Sequence, residues 1–366
     1  MRIRGDSKEP KAINRRDFLK VGGVLGAASL LAGCAPSSPA VTPLPTMRPW
    51  PTSGSTQEAA SLSPPPAPTE VRAPMQAVQH GDHGVAVRFA HITDMHIQPG
   101  GPGAESFARA LRDLQARNPD LDFVLNTGDC VMETLHAQKA DAESQWEAFR
   151  NVLDAECRLP IHHAIGNHDV WGWGLPAAAQ NSLKSDPLFG KGMALRQLQL
   201  PQRYYAFDGG GWHFLVLDST HPAEVSPGEP YTGKLDEEQF GWLTQQLEAT
   251  SPATPVCIVS HIPVLAACEY LDGPNETSGN WLVPGAWVHI DARRLWKLFW
   301  AYPNVKLCLS GHTHQVEDLN YHGLRYMTNG AISGDWWRGP YFDFPPGYVV
   351  VTLYKDGAGD SEFVAY

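Results

Sequence analysis

Five short clusters of carboxylate, carboxamide and imidazole residues carry the chemistry-bearing side chains of this sequence. They are Asp94-Met95-His96, Gly128-Asp129, Gly166-Asn167-His168-Asp169, Ser260-His261 and Gly311-His312-Thr313-His314. Carboxylate oxygen, amide oxygen and imidazole nitrogen are suitable donors for divalent or trivalent first-row metals. Taken singly each cluster is weak. Asp-x-His is frequent by chance, Gly-Asp is mostly turn chemistry, and a lone histidine such as His261 is more often a satisfied polar residue than a ligand. As an ordered set, each standing where an apolar run stops, they point to one shared metal site.

Residues this far apart meet only if a sheet brings their loops together, and the intervening sequence supplies one. Strand-like runs occupy Val85 to Ile92, Leu121 to Leu125, Ile161 to Ile165, Val256 to Val259 and Val305 to Leu309. Between them, apolar residues recur at helical spacing over Ser106 to Arg117, Glu143 to Ala155, Asp236 to Glu248 and Asp291 to Ala301. Tyr204 to Phe207 and Trp212 to Leu217 flank Gly209-Gly210-Gly211 as a hairpin, and closing strands are expected at Leu324 to Thr328 and Tyr348 to Tyr354. Strands alternating with helices predict an α/β fold, and the hairpins predict mixed sheets. Loops leaving the carboxyl ends of such strands converge on one crevice. Trp171 to Gln202 and Cys268 to Val288 break the pattern with Gly, Pro, Asn and Trp, and read as functional rims or lids.

On these residues the chain resembles the calcineurin-like metallophosphoesterase superfamily over about residues 86 to 355. The resemblance implies a layered α/β-β/α sandwich of two mixed sheets with a dinuclear metal site at the strand ends. It implies Asp94, His96 and His314 as ligands of one metal, Asn167, His261 and His312 as ligands of a second, and Asp129 as the bridge. It further implies hydrolysis of a small phosphate ester by a hydroxide shared between the metals, with His168 near the leaving group. Two cations about 3.5 to 4 Å apart suit this task because they acidify a shared water and hold the phosphoryl oxygens in line. Asp169 is expected to orient His168 as an acceptor or to serve the turn. Iron, manganese and zinc all accept such a ligand set.

One departure separates the chain from the purple acid phosphatase branch, whose second motif continues to a tyrosine ligand: that place is Met132 here. The pattern is closer to the branch of cyclic-nucleotide and glycerol phosphodiesterases. Downstream, Trp336-Trp337-Arg338 is a candidate substrate wall, with Arg338 as partner for a phosphate and the tryptophans as pocket or core. His91, His162, His163, His213 and His322 lie in strands or at their edges and are read as structural.

The N-terminus is a different kind of sequence. Asn14-Arg15-Arg16-Asp17-Phe18-Leu19-Lys20 followed by an apolar, small-residue run from Val21 to Ala32 resembles a twin-arginine export signal. That run is too short to span a bilayer comfortably. Leu31-Ala32-Gly33-Cys34 resembles a lipoprotein cleavage box, implying a signal peptide over 1–34 and lipidation of Cys34. Residues 35–85, rich in Pro, Ser, Ala and Thr, read as an unfolded tether, and 86–366 as the catalytic domain. Expected partners are therefore the twin-arginine export machinery and, through the anchor, a membrane, with the enzyme exported to its extracytoplasmic face or periplasmic.

The leader's seven basic and three acidic residues leave 21 basic against 36 acidic in the remainder, a net charge of about −15, which predicts no general affinity for nucleic acid. Besides Cys34 there are five cysteines, and no spacing among them demands a disulfide. Three functions fit the residues: a phosphodiesterase or phosphatase, a pyrophosphate or lipid-phosphate hydrolase at the membrane surface, and a lipoprotein that binds metal or phosphate without turnover.

Overall fold

Alternation along the apolar runs decides which way each strand faces, and it divides the core into three layers. The computed structural model describes residues 84–223 and 228–366. The leader, Cys34 and the tether up to residue 83 lie outside the described residues. In chain order the elements are β1 (Val85–Ile92), α1 (Gly103–Arg117), β2 (Phe123–Asn126), α2 (Lys139–Glu156), β3 (Ile161–His163), α3 (Ala177–Leu183), α4 (Gly192–Gln197), β4 (Tyr205–Gly209) and β5 (Trp212–Val216). There follow β6 (Thr220–Pro222), β7 (Tyr231–Gly233), α5 (Glu237–Ala249), β8 (Val256–Val259), α6 (Ala292–Ala301), β9 (Val305–Ser310), β10 (Val316–Tyr321), β11 (Leu324–Asn329), β12 (Gly347–Tyr354) and β13 (Gly359–Ala365).

One sheet has the order β13-β12-β1-β2-β3, the other β10-β11-β9-β8-β5-β4, and β6-β7 is a separate ribbon. Strands β1, β2 and β3 run parallel, as do β5, β8, β9 and β11, while β12, β13, β4 and β10 are antiparallel to their neighbours. Both sheets are thus mixed. Phe89 of β1, Phe123 of β2, Phe214 of β5, Val259, Leu309 and Val351 fill the space between them. The alternate residues face outward: Ala90, Val124 and Val350 meet Phe107, Leu111, Trp146 and Phe149 of α1 and α2. On the other side Leu215, Ile258 and Cys308 meet Leu243, Leu247, Leu295 and Phe299 of α5 and α6. The period of two in the strands and of 3.6 in the helices therefore yields four layers, α/β-β/α.

Helix α5 starts where Asp236 accepts a hydrogen bond from the Gln239 amide at 2.8 Å, a side-chain cap of an otherwise unpaired donor. The principal elements match the sequence reading to within a few residues. Strands β10 and β13 were not expected, because Val316–Tyr321 and Gly359–Ala365 lie at sheet edges and are mostly half-buried or exposed, so neither forms an apolar run. The segment Trp171 to Gln202 contains α3 and α4, seven and six residues long. Helices that short carry too few buried positions to show a period.

The five histidines in or beside strands make structural contacts. The His91 ring contacts Thr127 Oγ1 at 2.8 Å and the Asn329 amide, His163 contacts the Asn126 amide at 2.9 Å, and His162 stacks on Phe207. His213 pairs with Asp208, while His322, in the β10–β11 turn, packs its ring against Trp300. All five cysteines of the described residues are free thiols. Cys257 faces the space between the sheets and Cys308 faces the helices on the outer side.

Candidate metal centre

The loops that leave β1 and β2 continue the parallel pairing of those strands. Asp94 N donates to Gly128 O, His96 N to Asp129 O and Ile97 N to Cys130 O, each at 3.0 Å. This zipper places the first two motifs side by side. The third is tied to the second by Asp169, whose carboxylate accepts from the backbone amides of Asp129 (3.0 Å), Cys130 (2.8 Å) and Gly166 (2.9 Å). His168 N in turn donates to Asp129 Oδ1 at 2.8 Å. From the other sheet, Gly311 N donates to His261 O at 3.1 Å, and His312 N donates to Asp94 Oδ2 at 2.9 Å, joining the two sheets at the site.

Such tight turns require unusual backbone. Asp94, His96, Asp129, His312 and His314 all have φ between 48° and 73°, the left-handed region that non-glycine residues seldom adopt. Five strained positions in one cluster mark a functional site. A Cβ at Gly166 would overlap the Asp129 carboxylate and amide, and one at Gly311 would overlap the Thr93 hydroxyl, so the motif glycines leave room for the ligand residues themselves.

Three donor groups result, each with its ligand atoms within 4.8 Å of one another: Asp94, His96 and His314; Asp129, His261 and His312; and His96, Asp129 and His168. Asn167 Oδ1 joins the second, 2.9 Å from His261 Nε2. Asp129 faces both sides, with Oδ1 3.3 Å from His261 Nε2 and Oδ2 3.8 Å from His96 Nε2. Backbone carbonyls fix which nitrogen of each ring is left over. His261 Nδ1 bonds Thr127 O (2.9 Å), His314 Nδ1 bonds Gly334 O (2.6 Å) and His168 Nδ1 bonds Met132 O (2.6 Å). His312 uses its other nitrogen, Nε2, on Ala286 O (2.9 Å). The His261, His312 and His314 rings each donate a proton outward and turn a lone pair inward, as outer partners of metal-ligating histidines do, and His168 turns its Nε2 toward Asp129. Asp94 Oδ1 is buried with no hydrogen-bond partner, while its Oδ2 accepts from Thr93 Oγ1 at 2.6 Å and from His312. A buried carboxylate oxygen that accepts no hydrogen bond, 3.3 Å from His314 Nε2 and 3.8 Å from His96 Nε2, suits a cation held among these atoms.

Electrostatics agrees with this donor set. Burial opposes ionisation of Asp94 and Asp129, yet the surrounding imidazoles outweigh it and hold both carboxyls below the usual range. Burial likewise opposes charge on His261, but Asp129, Asp94 and Asp169 raise it to about 9, so a proton and a cation compete for its Nε2. For His168 burial is outweighed by Asp129 and Glu133, which raise its pKa. Burial and the neighbouring Asp129 push Asp169 up to about 6.

Every residue expected to ligate a metal lies in this cluster. Of the two roles expected for Asp169, it takes the turn and does not orient His168. Its carboxylate is taken up by four amides of the second and third motif loops, those of Asp129, Cys130, Val131 and Gly166, and the orienting acceptor is the Met132 carbonyl. Trp336 stacks on His314 with ring centroids 4.3 Å apart and lies 5.4 Å from His96, while Trp337 Nε1 donates to His96 O at 3.1 Å. Trp336 therefore walls the site and Trp337 braces it. The Arg338 guanidinium bonds the Asp335 carboxylate at 2.7 Å and lies over Trp336. Sequence reasoning missed Thr93, whose hydroxyl beside Asp94 was a readable signal, and the carbonyls of Thr127, Met132, Ala286 and Gly334, which as backbone have none.

Comparison with known proteins gives the same picture. The calcineurin-like phosphoesterase model matches residues 87–316, more than half of the chain, and the twin-arginine translocation signal model matches residues 12–32, which supports export across the cytoplasmic membrane. A 3',5'-cyclic-nucleotide phosphodiesterase of Nostoc sp. is 24% identical over 74% of this chain and 89% of its own length. The 3',5'-cyclic adenosine monophosphate phosphodiesterase of Escherichia coli K12 is 25% identical over 75% of this chain and 88% of its own. A dimetal phosphatase from Danio rerio has the same fold, with a TM-score of 0.52 and 17% identity over 76% of this chain and 96% of that one. Because the matched span runs from β1 to the first residue of β10 and takes in all five loops, the chain belongs to the calcineurin-like phosphoesterase family.

Proposed function

We propose that the protein is an exported phosphodiesterase that holds two transition-metal cations, iron, manganese or zinc, and is tethered to a membrane by lipid on Cys34. The observation that carries the catalytic part is Asp129 standing between two groups of inward-facing donors, within 3.8 Å of an imidazole nitrogen on either side. Asp94, His96 and His314 would hold one cation, and Asn167, His261 and His312 the other, with Asp129 shared. When bound, the pair supplies an acidified water and neutralises charge on the phosphoryl oxygens. The chain's own residues do the rest. His168, with Nδ1 committed to Met132 O and its pKa raised by Asp129 and Glu133, keeps a proton on Nε2 to deliver to the departing oxygen. Asp169 keeps the Gly128-Asp129-Cys130 turn in place, and Trp336 excludes water from one side of the His96 and His314 rings.

The diester class is favoured by the relatives, two of which are named as cyclic-nucleotide phosphodiesterases. The test is turnover of bis(p-nitrophenyl) phosphate and 3',5'-cyclic AMP against p-nitrophenyl phosphate and pyrophosphate, with metal content measured on the same protein. Diesters should be cleaved fastest at two metals per chain. Preference for pyrophosphate would replace this substrate class, and two retained metals with no ester cleaved would turn the protein into a binding lipoprotein.

A further inference from the structure

Two loops linked to the site carry large apolar side chains that the domain leaves in water. Leu271 is 75% exposed, Leu282 62% and Phe342 59%, and Tyr270 and Trp281 are also exposed. Isolated exposed leucines are ordinary, but these lie on two loops joined to each other and to the metal-ligand histidines. Tyr341 packs against His314 at 5.5 Å and against Trp336 at 5.8 Å, and Phe342 packs edge-on against Tyr341 at 4.9 Å. The Tyr341 hydroxyl donates to Asp272 Oδ2 at 3.0 Å, which ties this loop to the loop after β8. On that loop Tyr270 packs against Trp281 at 5.5 Å.

The β8 loop is pinned rather than loose. At its start the amides of Ala267 and Cys268 donate to the Glu317 carboxylate at 2.7 and 3.0 Å. At its end His289 N donates to Pro263 O, and the His289 ring pairs with Asp291 at 2.8 Å. Between these points Asn275 Nδ2 donates to Glu269 O at 2.7 Å. Fixed aromatic rings beside a reaction centre lose little entropy when a ligand stacks on them.

Resting on the phosphodiesterase reading and extending it, we propose that this rim selects substrates, binding an aryl arm of the diester that is not the leaving group. The charge on the rim argues for a small neutral arm over a lipid surface. From Ala267 to Ile290 the loop carries half-buried Asp272 and exposed Glu276, with Glu269 buried beneath them, and no lysine or arginine, so it offers nothing to attract an anionic bilayer. The same charges disfavour a substrate bearing further phosphates.

Methyl and phenyl p-nitrophenyl phosphate share a leaving group and differ only in the retained arm, so they separate rim binding from chemistry. Wild-type protein should show kcat/KM roughly tenfold higher for the phenyl ester, mainly through KM. In Phe342→Ser and Trp281→Ser, both surface changes, the phenyl-to-methyl ratio should fall several-fold at two metals per chain. An unchanged ratio in both variants overturns the proposal. So does an unchanged ratio accompanied by loss of flotation with phosphatidylcholine–phosphatidylglycerol vesicles, which would make the rim a membrane contact. If wild-type protein with both metals cleaves neither diester, the phosphodiesterase reading fails and the rim proposal falls with it.

Discussion

An imidazole with one nitrogen given to a carbonyl has only the other for chemistry, and this makes single substitutions at the site interpretable. His168→Ala should leave metal content near normal, because the six proposed terminal ligands and Asp129 are untouched. It should lower kcat by ~10²- to 10⁴-fold, the usual loss for a general acid. The loss should shrink for p-nitrophenyl esters, which need little protonation, and grow for alkyl esters. A penalty independent of leaving group would instead assign His168 to phosphoryl charge stabilisation. Asp129→Ala should remove both metals together, since its two oxygens face the two donor groups, at 3.3 Å from His261 and 3.8 Å from His96. His261→Ala should weaken mainly one. Metal analysis decides, and two metals per chain retained in Asp129→Ala would refute the bridging assignment.

At the scale of elements, the site is made by strand-end loops that hold one another. Gly166 is a point with no room to spare, because any side chain there overlaps the Asp129 carboxylate and amide. Gly166→Ala should therefore displace Asp129, cutting metal occupancy and activity together while β2 and β3 remain paired. Normal occupancy with normal circular dichroism would show that the turn yields more readily than its contacts imply. The same elements show what the sequence could disclose. Central strands such as Val256 to Val259 are buried on both faces and read as unbroken apolar runs, and α1 displays its buried face through Phe107, Leu111 and Leu114. Each donor residue was legible because it directly follows such a run. The edge strands β10 and β13 were not, since a strand with one covered face and a free edge has no apolar requirement along most of its length. Nor was the partner of His168: the ring's orientation depends on a carbonyl 36 positions away, and carbonyls are the same in every residue.

Across the whole molecule, both sheets direct the carboxyl ends of their parallel strands to the site, so the opposite pole holds the start of β1, where Lys355 N donates to Gly84 O at 3.2 Å. The chain therefore enters the domain away from the metals. Cys34→Ser should move the protein from the membrane fraction to the soluble fraction at unchanged specific activity, and a wild-type protein already soluble after export would refute the anchor. Acid sensitivity is also a property of the whole core. His91 and His163 are buried, and each accepts an amide hydrogen at Nδ1, from Asn329 and Asn126 respectively, an arrangement that suits the neutral ring. Burial lowers both pKa values to about 3, with Arg150 and His162 adding to the effect at His163 and Asp94 opposing it at His91. In the unfolded chain each histidine titrates near 6.5. Between about 6.5 and 3 the unfolded state therefore binds a proton that the folded state refuses, so stability falls as pH falls, by up to about 1.4 kcal/mol per pH unit for each ring. Urea unfolding of wild type and His163→Gln from pH 7 to 4.5 measures this directly. The variant starts with a deficit from the altered contact with Asn126, and that deficit should narrow as the pH drops, because glutamine has no proton to gain. Carboxylate titrations are common to both proteins and cancel in the difference. Two stability curves that stay parallel over this range would mean that His163 becomes charged without leaving the core.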